Sequence, residues 1–373
     1  DQAAPRLADT AALQSRAVRT VSGGGGHTVV ITESGEVFVC GQNHRGQLGL
    51  GHNADISTLQ LCPVLNQRIT HTACGWDFTL LLTDCGQLLA CGSNAFGQLG
   101  VAQKVTYSAE PLVIESLKEP ILSVAAGLRH ALAVTDSGCV YQWGTGLFSH
   151  AKRALSPHPV PPHLSSKVPS LVPGLDQTTA HLVAAGSVHC VCLTDGDLFL
   201  WGSNKHGQLT TTECFLSSAT LLRRSLLDGE KIINVWSGWT HTIAQTESGR
   251  VFTWGRGDYG QLGRQATASR DPDLKSVCCK HVFETWFKSL FLQITCGSEH
   301  NLAIVGGCLL SWGWNEHGMC GDGSQGDVFH PQLVPGLKPL LIACGAGHSM
   351  AVCPASTAGQ SEKKWQKKND LGN

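Results

Sequence analysis

The sequence predicts an all-β protein, a seven-bladed β-propeller of four-stranded blades with a closing blade that the sequence leaves incomplete. Three observations predict this fold: a phrase that recurs along the chain, copies that stand 48 to 59 residues apart, and short apolar runs that alternate with glycine turns inside each copy. Four short strands with their loops take up roughly 50 residues. Radial stacking then buries the faces that one repeat cannot cover alone.

The first repeated phrase is Gly-x-x-His followed by an apolar run. Six copies keep the histidine, and a seventh has Phe78 in its place. So many aligned copies indicate a tandem repeat, which decides the architecture before any single strand is assigned. The copies occupy residues 24–27, 75–78, 127–130, 186–189, 238–241, 297–300 and 345–348.

Two further phrases follow at nearly fixed distances. The second is a Trp-Gly or Cys-Gly pair, and the third is Asn-x-x-Gly-Gln-Leu-Gly. We expect the tryptophans to fill the space between blades, and the Asn and Gln side chains to tie turns together through hydrogen bonds to the backbone. The second phrase begins at Cys40, Cys91, Trp143, Trp201, Trp254 and Trp312, and the third is clearest at residues 43–49, 94–100 and 204–209.

The local pattern within a repeat predicts strands. Residues 27–32 are rich in β-branched side chains, Gly35 provides a turn, and residues 36–40 alternate polar with apolar, which together indicate a hairpin. Another apolar segment precedes each first phrase, for instance residues 122–126. A proline-led piece such as residues 111–114 suits the outer edge strand, where the missing N–H is not needed.

The sequence divides into three parts. Residues 21–353 hold the propeller repeats, and residues 354–373 form a lysine-containing tail that we expect to be disordered. The sequence contains seven copies of the first phrase but only six of the second, so one blade is half-built. The N-terminal segment 1–20 carries no third phrase, and we therefore expect the strand that closes the propeller to be missing or replaced. A β-solenoid and a string of separate domains are the rival folds, and the repeat length fits both less well.

The composition excludes several function classes. Lys plus Arg number 27 against 28 Asp plus Glu, so the chain has no overall field with which to hold nucleic acid. No apolar run approaches the ~20 residues needed to span a bilayer, and membrane insertion is not expected. The 16 cysteines are spread along the chain without a Cys-x-x-Cys pair. We therefore expect an intracellular protein with no metal site and no cofactor.

The three phrases in this order resemble the repeats of the regulator of chromosome condensation family, over about residues 21–353. This resemblance implies a seven-bladed propeller, and the family's founding member catalyses guanine nucleotide exchange on the small GTPase Ran. The residues that stand between the repeated positions resemble those of a secretion-linked branch of exchange factors, most clearly at residues 75–79, 125–130, 236–241 and 311–321. That branch implies a cytoplasmic and nuclear protein, with a Ran-like or other small GTPase and an exocyst component as partners.

The histidines of the first phrase lie in separate repeats and cannot all converge on one ion. We expect each imidazole to hydrogen-bond the backbone of its own blade. No catalytic triad or paired carboxylates stand out, and an exchange factor needs neither. Such a protein breaks no covalent bond, because it acts by binding the nucleotide-free GTPase more tightly than the loaded one.

The resemblance also suggests contact residues, since acidic residues and a histidine of these loops serve exchange in the founding member. Matching loops by order makes Asp77, His130, His241 and Glu299 the candidate contacts with a GTPase or partner. Arg129, in the third loop, departs from the acidic pattern and puts Ran-type exchange in doubt. The alternative function is a non-catalytic scaffold for trafficking proteins.

Two insertions interrupt the regular spacing. Residues 145–166 replace the third phrase in one repeat, and they contribute Lys152 and Arg153 to the candidate contacts. By analogy with the family this loop is a candidate wedge, and the alternative is a tolerated surface insertion. Residues 265–293, with Phe283 and Trp286, are either an aromatic contact patch or a strand of an enlarged blade.

Overall fold

A computed structural model describes residues 3–63, 67–265, 280–281 and 292–354 of the chain. Its strands form antiparallel meanders in which each strand pairs with its neighbours in sequence. Most of the insertion 265–293, including Phe283 and Trp286, lies outside the described residues. The tail beyond Pro354 also lies outside them, so both expectations stay predictions.

The first three blades contain twelve strands. Blade 1 comprises β1 (Val18–Gly23), β2 (His27–Thr32), β3 (Val37–Gly41) and β4 (Ile56–Leu61). Blade 2 comprises β5 (Ile69–Cys74), β6 (Phe78–Thr83), β7 (Leu88–Ser93) and β8 (Tyr107–Val113). Blade 3 comprises β9 (Ile121–Ala126), β10 (Ala131–Thr135), β11 (Val140–Trp143) and β12 (Ser170–Leu171), with α1 (Phe148–Leu155) and α2 (Pro162–Ser165) between its last two strands.

The next three blades repeat the pattern, and a small sheet follows them. Blade 4 comprises β13 (Leu182–Ala185), β14 (His189–Leu193), β15 (Leu198–Ser203) and β16 (Phe215–Leu221). Blade 5 comprises β17 (Ile232–Ser237), β18 (His241–Thr246), β19 (Val251–Gly255) and β20 (Lys280–His281). Blade 6 comprises β21 (Leu292–Cys296), β22 (His300–Val305), β23 (Cys308–Gly313) and β24 (Val328–Leu333), and the small sheet comprises β25 (Leu341–Cys344) and β26 (Ser349–Val352). Short 3-10 turns occur at Ala11–Leu13 and Arg224–Leu227.

The all-β propeller is confirmed, but the prediction of seven four-stranded blades is wrong. Within the described residues there are six four-stranded blades and one two-stranded sheet. The first phrase at residues 345–348 was counted as a whole blade, yet it builds only the hairpin of β25 and β26. In the other repeats the second phrase supplies the third strand, and no copy of it follows β26 in the sequence.

The small sheet lies between blade 6 and blade 1. Its inner strand, β25, packs beside β21 on one side and β1 on the other. The backbone N–H of Ala346 donates to the carbonyl of Gly24 at 2.9 Å, and the N–H of Ser298 donates to the carbonyl of Ala346 at 3.0 Å. The hairpin therefore connects the last blade to the first.

The second strand of most blades is buried along its whole length, because neighbouring blades cover both of its faces. β6, β18 and β22 show this at every residue. Such strands are near-continuous apolar runs rather than alternating ones. The large fully buried side chains include the four tryptophans of the second phrase, which lie between blades as expected: Trp143, Trp201, Trp254 and Trp312.

The glycine of the first phrase is required by its own histidine. A Cβ added at Gly186 would lie 2.1 Å from Cε1 of His189, and the same collision occurs at the other copies within 1.9 to 2.1 Å. The imidazole ring thus lies directly against the glycine Cα. Because any side chain would displace the ring, the spacing of glycine and histidine follows from close packing.

We expect Gly186→Ala to lower the stability of the propeller by about 1–3 kcal/mol, because the new methyl group overpacks against His189. Gly326→Ala is the matched control, since a Cβ there meets nothing within 4 Å. Urea unfolding of both variants measures the difference. Equal midpoints for the two variants would contradict the packing argument.

Candidate functional site

One face of the propeller carries the loops that join strand 1 to strand 2, and strand 3 to strand 4, of each blade. We call it the upper face. The first-phrase loops surround the central channel there, and the third-phrase loops lie farther out. Each candidate contact residue stands on one of these loops, at the start of the strand that follows it, or on α1.

The histidines of the first phrase join neighbouring blades. Their Nε2 atoms reach side chains of the next blade, so the expectation of a bond to the same blade's backbone is wrong. Blade 2 has Phe78 instead, and the bond from His348 to Thr28 links the small sheet to blade 1. The pairs are His27 with Thr79 (2.8 Å), His130 with Cys190 (3.3 Å), His189 with Thr242 (3.2 Å), His241 with Asn301 (2.7 Å), His300 with Ser349 (3.0 Å) and His348 with Thr28 (3.1 Å).

These imidazoles are held in the neutral form. Burial lowers the pKa of His27, His189 and His300 to about 3 and that of His130 to about 4. The Nδ1 atoms of these four histidines are buried without a hydrogen-bond partner within the described chain. A second proton would therefore place an unsatisfied N–H and a charge inside the protein, which explains the direction of the pKa shift.

The tryptophans of the second phrase make a second inter-blade link. Their indole N–H groups donate to the backbone carbonyl of the glutamine in the preceding blade's third phrase: Trp143 to Gln98 (2.9 Å), Trp254 to Gln208 (3.0 Å) and Trp312 to Gln261 (3.1 Å). Blade 3 lacks that phrase, and the side-chain Oε1 of Gln142 accepts from Trp201 at 2.7 Å instead. The link is thereby kept where its usual sequence is missing.

The third phrase ties its own loop together, as predicted. Asn43 Nδ2 donates to the carbonyls of His52 and Ala54 at 2.7 and 3.0 Å, and its Oδ1 accepts from the N–H of Leu48 at 3.0 Å. Gln47 Oε1 accepts from the N–H of Arg45 at 2.9 Å. These side chains therefore shape the loop.

Three of the candidate contact residues are buried in the blade packing. His130 and His241 are fully buried, and each bonds to the next blade. Glu299 is also buried. Its carboxylate accepts from Thr240 Oγ1 at 2.7 and 2.8 Å and from Gln261 Nε2 at 2.7 Å, with Nδ1 of His241 at 4.0 Å. His241 and Glu299 thus hold blade 5 against blade 6, and His130 joins blade 3 to blade 4.

The other four candidates are accessible. Asp77 is half-buried on the blade 2 loop, and Arg129 is exposed with its guanidinium carbon 4.4 Å from the centroid of the Phe96 ring. Lys152 and Arg153 are exposed in the last turn of α1. The structure thus brings Arg129 and α1 together on the upper face, because Gly146, just before the helix, packs against Arg129.

The insertion at residues 145–166 is an anchored element. Ala151 of α1 and Leu164 of α2 are fully buried, and both belong to the same hydrophobic cluster as Trp201 of blade 4. Burial lowers the pKa of His150, and the charges of Arg153 and Lys205 lower it further. The cationic end of α1 therefore lies close to the third-phrase loop of blade 4.

Sequence reasoning missed one feature of this face. Trp76 of blade 2 and Trp239 of blade 5 meet across the channel mouth, with their ring centroids 5.6 Å apart and the ring planes tilted by 57°. Trp76 is 41% exposed. Both residues directly follow the first glycine of the phrase, and this shared position is the sequence signal for the pair.

Within the described residues there is no cluster of three or more His, Cys, Asp or Glu side chains that could hold a metal ion. In the same part of the chain, no helix is long and apolar enough to cross a membrane.

The fold and its joints define a class of protein, the RCC1-like β-propeller. A model of the RCC1-like domain matches residues 1–351, so the chain belongs to that family and the resemblance seen in the sequence is confirmed. The secretion-regulating guanine nucleotide exchange factor of Bos taurus is 49% identical over 354 residues, which cover 91% of this chain and 76% of that protein.

Solved structures agree on the fold. Human WBSCR16 superposes with a TM-score of 0.80 at 25% identity, covering 95% of this chain and 90% of its own. Prp20p of Saccharomyces cerevisiae, a protein studied for its binding to Gsp1p and histones, superposes with a TM-score of 0.78 at 23% identity. That match covers 99% of this chain and 90% of Prp20p.

We expect stability to fall on acidification because of the buried histidines. Their pKa is about 6.5 when unfolded and about 3 to 4 when folded, so the unfolded chain binds more protons between these values. The stability that depends on these neutral histidines is therefore fully present above pH 6.5 and decreases toward pH 4. The decrease in the free energy of unfolding is about 1.4 kcal/mol per pH unit for each histidine. Urea unfolding at pH 7.5, 6.5 and 5.5 measures this slope.

His189→Gln provides the comparison, because it removes one titrating group and should lower the slope by one histidine's share. A wild-type stability that stays level between pH 7.5 and 5.5 would refute the assignment of neutral buried imidazoles.

Proposed function

We propose that this chain regulates a small GTPase by accelerating the release of its guanine nucleotide. The observation that carries the proposal is the 49% identity with the secretion-regulating guanine nucleotide exchange factor along 91% of the chain. The geometry is compatible with exchange, since a rigid face bears exposed charged loops. Exchange requires only that the nucleotide-free GTPase binds more tightly than the loaded form.

The element suited to disturb a bound nucleotide is α1. It is anchored through Ala151 and carries Lys152 and Arg153 outward on the upper face. An anchored helix loses little freedom on binding, so its contacts contribute more of their energy to the complex. Asp77 and Arg129 extend the same surface toward the channel.

We also propose a role in protein secretion, with an exocyst component as partner and a location in the cytoplasm and nucleus. The support is the name of the Bos taurus relative and the resemblance of the loop fillers. Co-precipitation with exocyst subunits from secreting cells, and imaging of the tagged chain, test these points separately from exchange.

A non-catalytic scaffold is the second candidate, and specific observations favour it. Arg129 occupies a loop position where the family's founding member is expected to use an acid, and Glu299 and His241 are tied into the blade packing. A face with altered contacts can still bind a partner without displacing its nucleotide.

The test is the release of fluorescently labelled GDP from a panel of small GTPases that includes Ran. We expect wild-type chain at micromolar concentration to accelerate release from at least one member. Lys152→Glu combined with Arg153→Glu should slow that reaction roughly tenfold, because charge reversal weakens association with the complementary surface. Lys118→Glu combined with Lys231→Glu, on the opposite face, makes the same change in net charge and should leave the rate unaltered.

Retained GTPase binding without any acceleration would reject the exchange activity in favour of the scaffold. Equal effects of the two double variants would remove α1 from the mechanism and leave only a general dependence on net charge.

A further inference from the structure

The tryptophan pair at the channel mouth is not required by the propeller. The residue after the first glycine is Trp76 in blade 2 and Trp239 in blade 5. The equivalent residues elsewhere are Gly25, Leu128, Ser187, Ser298 and Ala346. The same turn therefore forms with small or aliphatic residues, and the two indoles need another explanation.

The pair is held in place by its surroundings. The ring of Trp76 lies against Gly25, where an added Cβ would approach the ring within 2.8 Å. The backbone N–H of Trp239 donates to the carbonyl of Ser298 at 2.8 Å, and its carbonyl accepts from the N–H of Ser187 at 3.0 Å. The ring of Trp76 and the backbone of Trp239 are thus held at the centre of the face, where the two rings contact each other. Fixed, central aromatic side chains are typical of the residues that dominate binding at protein interfaces.

The exposed charge on one side of the pair, along blades 3 and 4, is mainly positive, and the half-buried Asp77 directly follows Trp76. Arg129, Lys152, Arg153 and Lys205 are exposed along blades 3 and 4, and we call these four residues the basic arc. Glu213 is the exposed acid on the outer loop of blade 4. On the other side of the pair, Arg256 is paired with Asp258 at 2.8 Å and adds little net charge. An acidic partner surface complements the arc, and a basic one is repelled by it.

We propose that Trp76 and Trp239 anchor a partner protein that presents an apolar side chain at the edge of an acidic surface, with the acids lying over the basic arc. The inference rests on the proposed function in taking a small GTPase as the natural partner. It goes further by assigning the face, the anchor and the charge that the partner must carry.

Two probes test the proposal, each titrated onto the full chain. The first is a fluorescein-labelled peptide with a central phenylalanine flanked on both sides by four glutamates, compared with its lysine counterpart. The second is each GTPase of the exchange panel, stripped of nucleotide with EDTA. We expect the glutamate peptide to bind more tightly than the lysine peptide and to lose affinity as salt rises.

Trp76→Ala and Trp239→Ala should each weaken binding of the glutamate peptide roughly tenfold or more. Trp76→Phe keeps a ring and should recover part of the loss.

Trp314→Ala is the matched control, because Trp314 lies on the same face in blade 6, where its ring packs against His317 at 5.5 Å. Arg129→Glu should weaken the glutamate peptide, and Lys118→Glu on the opposite face should not. Near-ultraviolet circular dichroism and the thermal midpoint establish that each variant is folded.

Equal binding of the two peptides, or no binding of either, would overturn the proposal, as would Trp76→Ala variants that bind like wild type. A panel GTPase that binds wild type and Trp76→Ala equally would overturn the anchor and leave the proposed function standing. Tryptophan-dependent binding of the glutamate peptide with no GTPase bound would support the anchor and contradict the proposed function.

Discussion

The closed ring depends on the contact between the first-phrase glycine and the histidine three residues later. The imidazole lies against the glycine Cα, which aims Nε2 out of its own blade and into the next. A flat polar ring in this position joins two sheets and fills the space between them. Each joint is weak by itself, since one hydrogen bond contributes about 1 kcal/mol. The repetition of the joint around the axis, together with the indole link, makes the blades one body.

The sequence was sufficient for the repeat, the strand pattern and the roles of the loop asparagines and tryptophans. Those properties are local, because they follow from the spacing of glycine, proline and apolar residues within one repeat. The number of complete blades was predicted wrongly, since residues 345–348 form a turn whether or not a third strand follows. A phrase that specifies a hairpin does not specify a blade.

The candidate site was harder to predict, because burial depends on neighbouring blades. Glu299 and Asp77 stand at equivalent positions of their loops and look alike in the sequence. In the fold, Thr240 and Gln261 of the preceding blade donate hydrogen bonds to the carboxylate of Glu299, whereas Asp77 stays half-buried. The partner of His27 is Thr79, which is 52 residues away. No pattern within one repeat shows such contacts, and the meeting of Trp76 with Trp239 is of the same kind.

In blade 3 a strand residue, Gln142, supplies the acceptor that an outer loop supplies elsewhere. The connection between β11 and β12 therefore does not have to supply that acceptor, and its helix α1 packs against β15 and β16 of blade 4 instead. Its sequence can depart from the third phrase while the indole link is kept, which allows a repeat protein to acquire a new surface element. The two helices found there replace the third phrase and bury Ala151 and Leu164 beside Trp201 of blade 4.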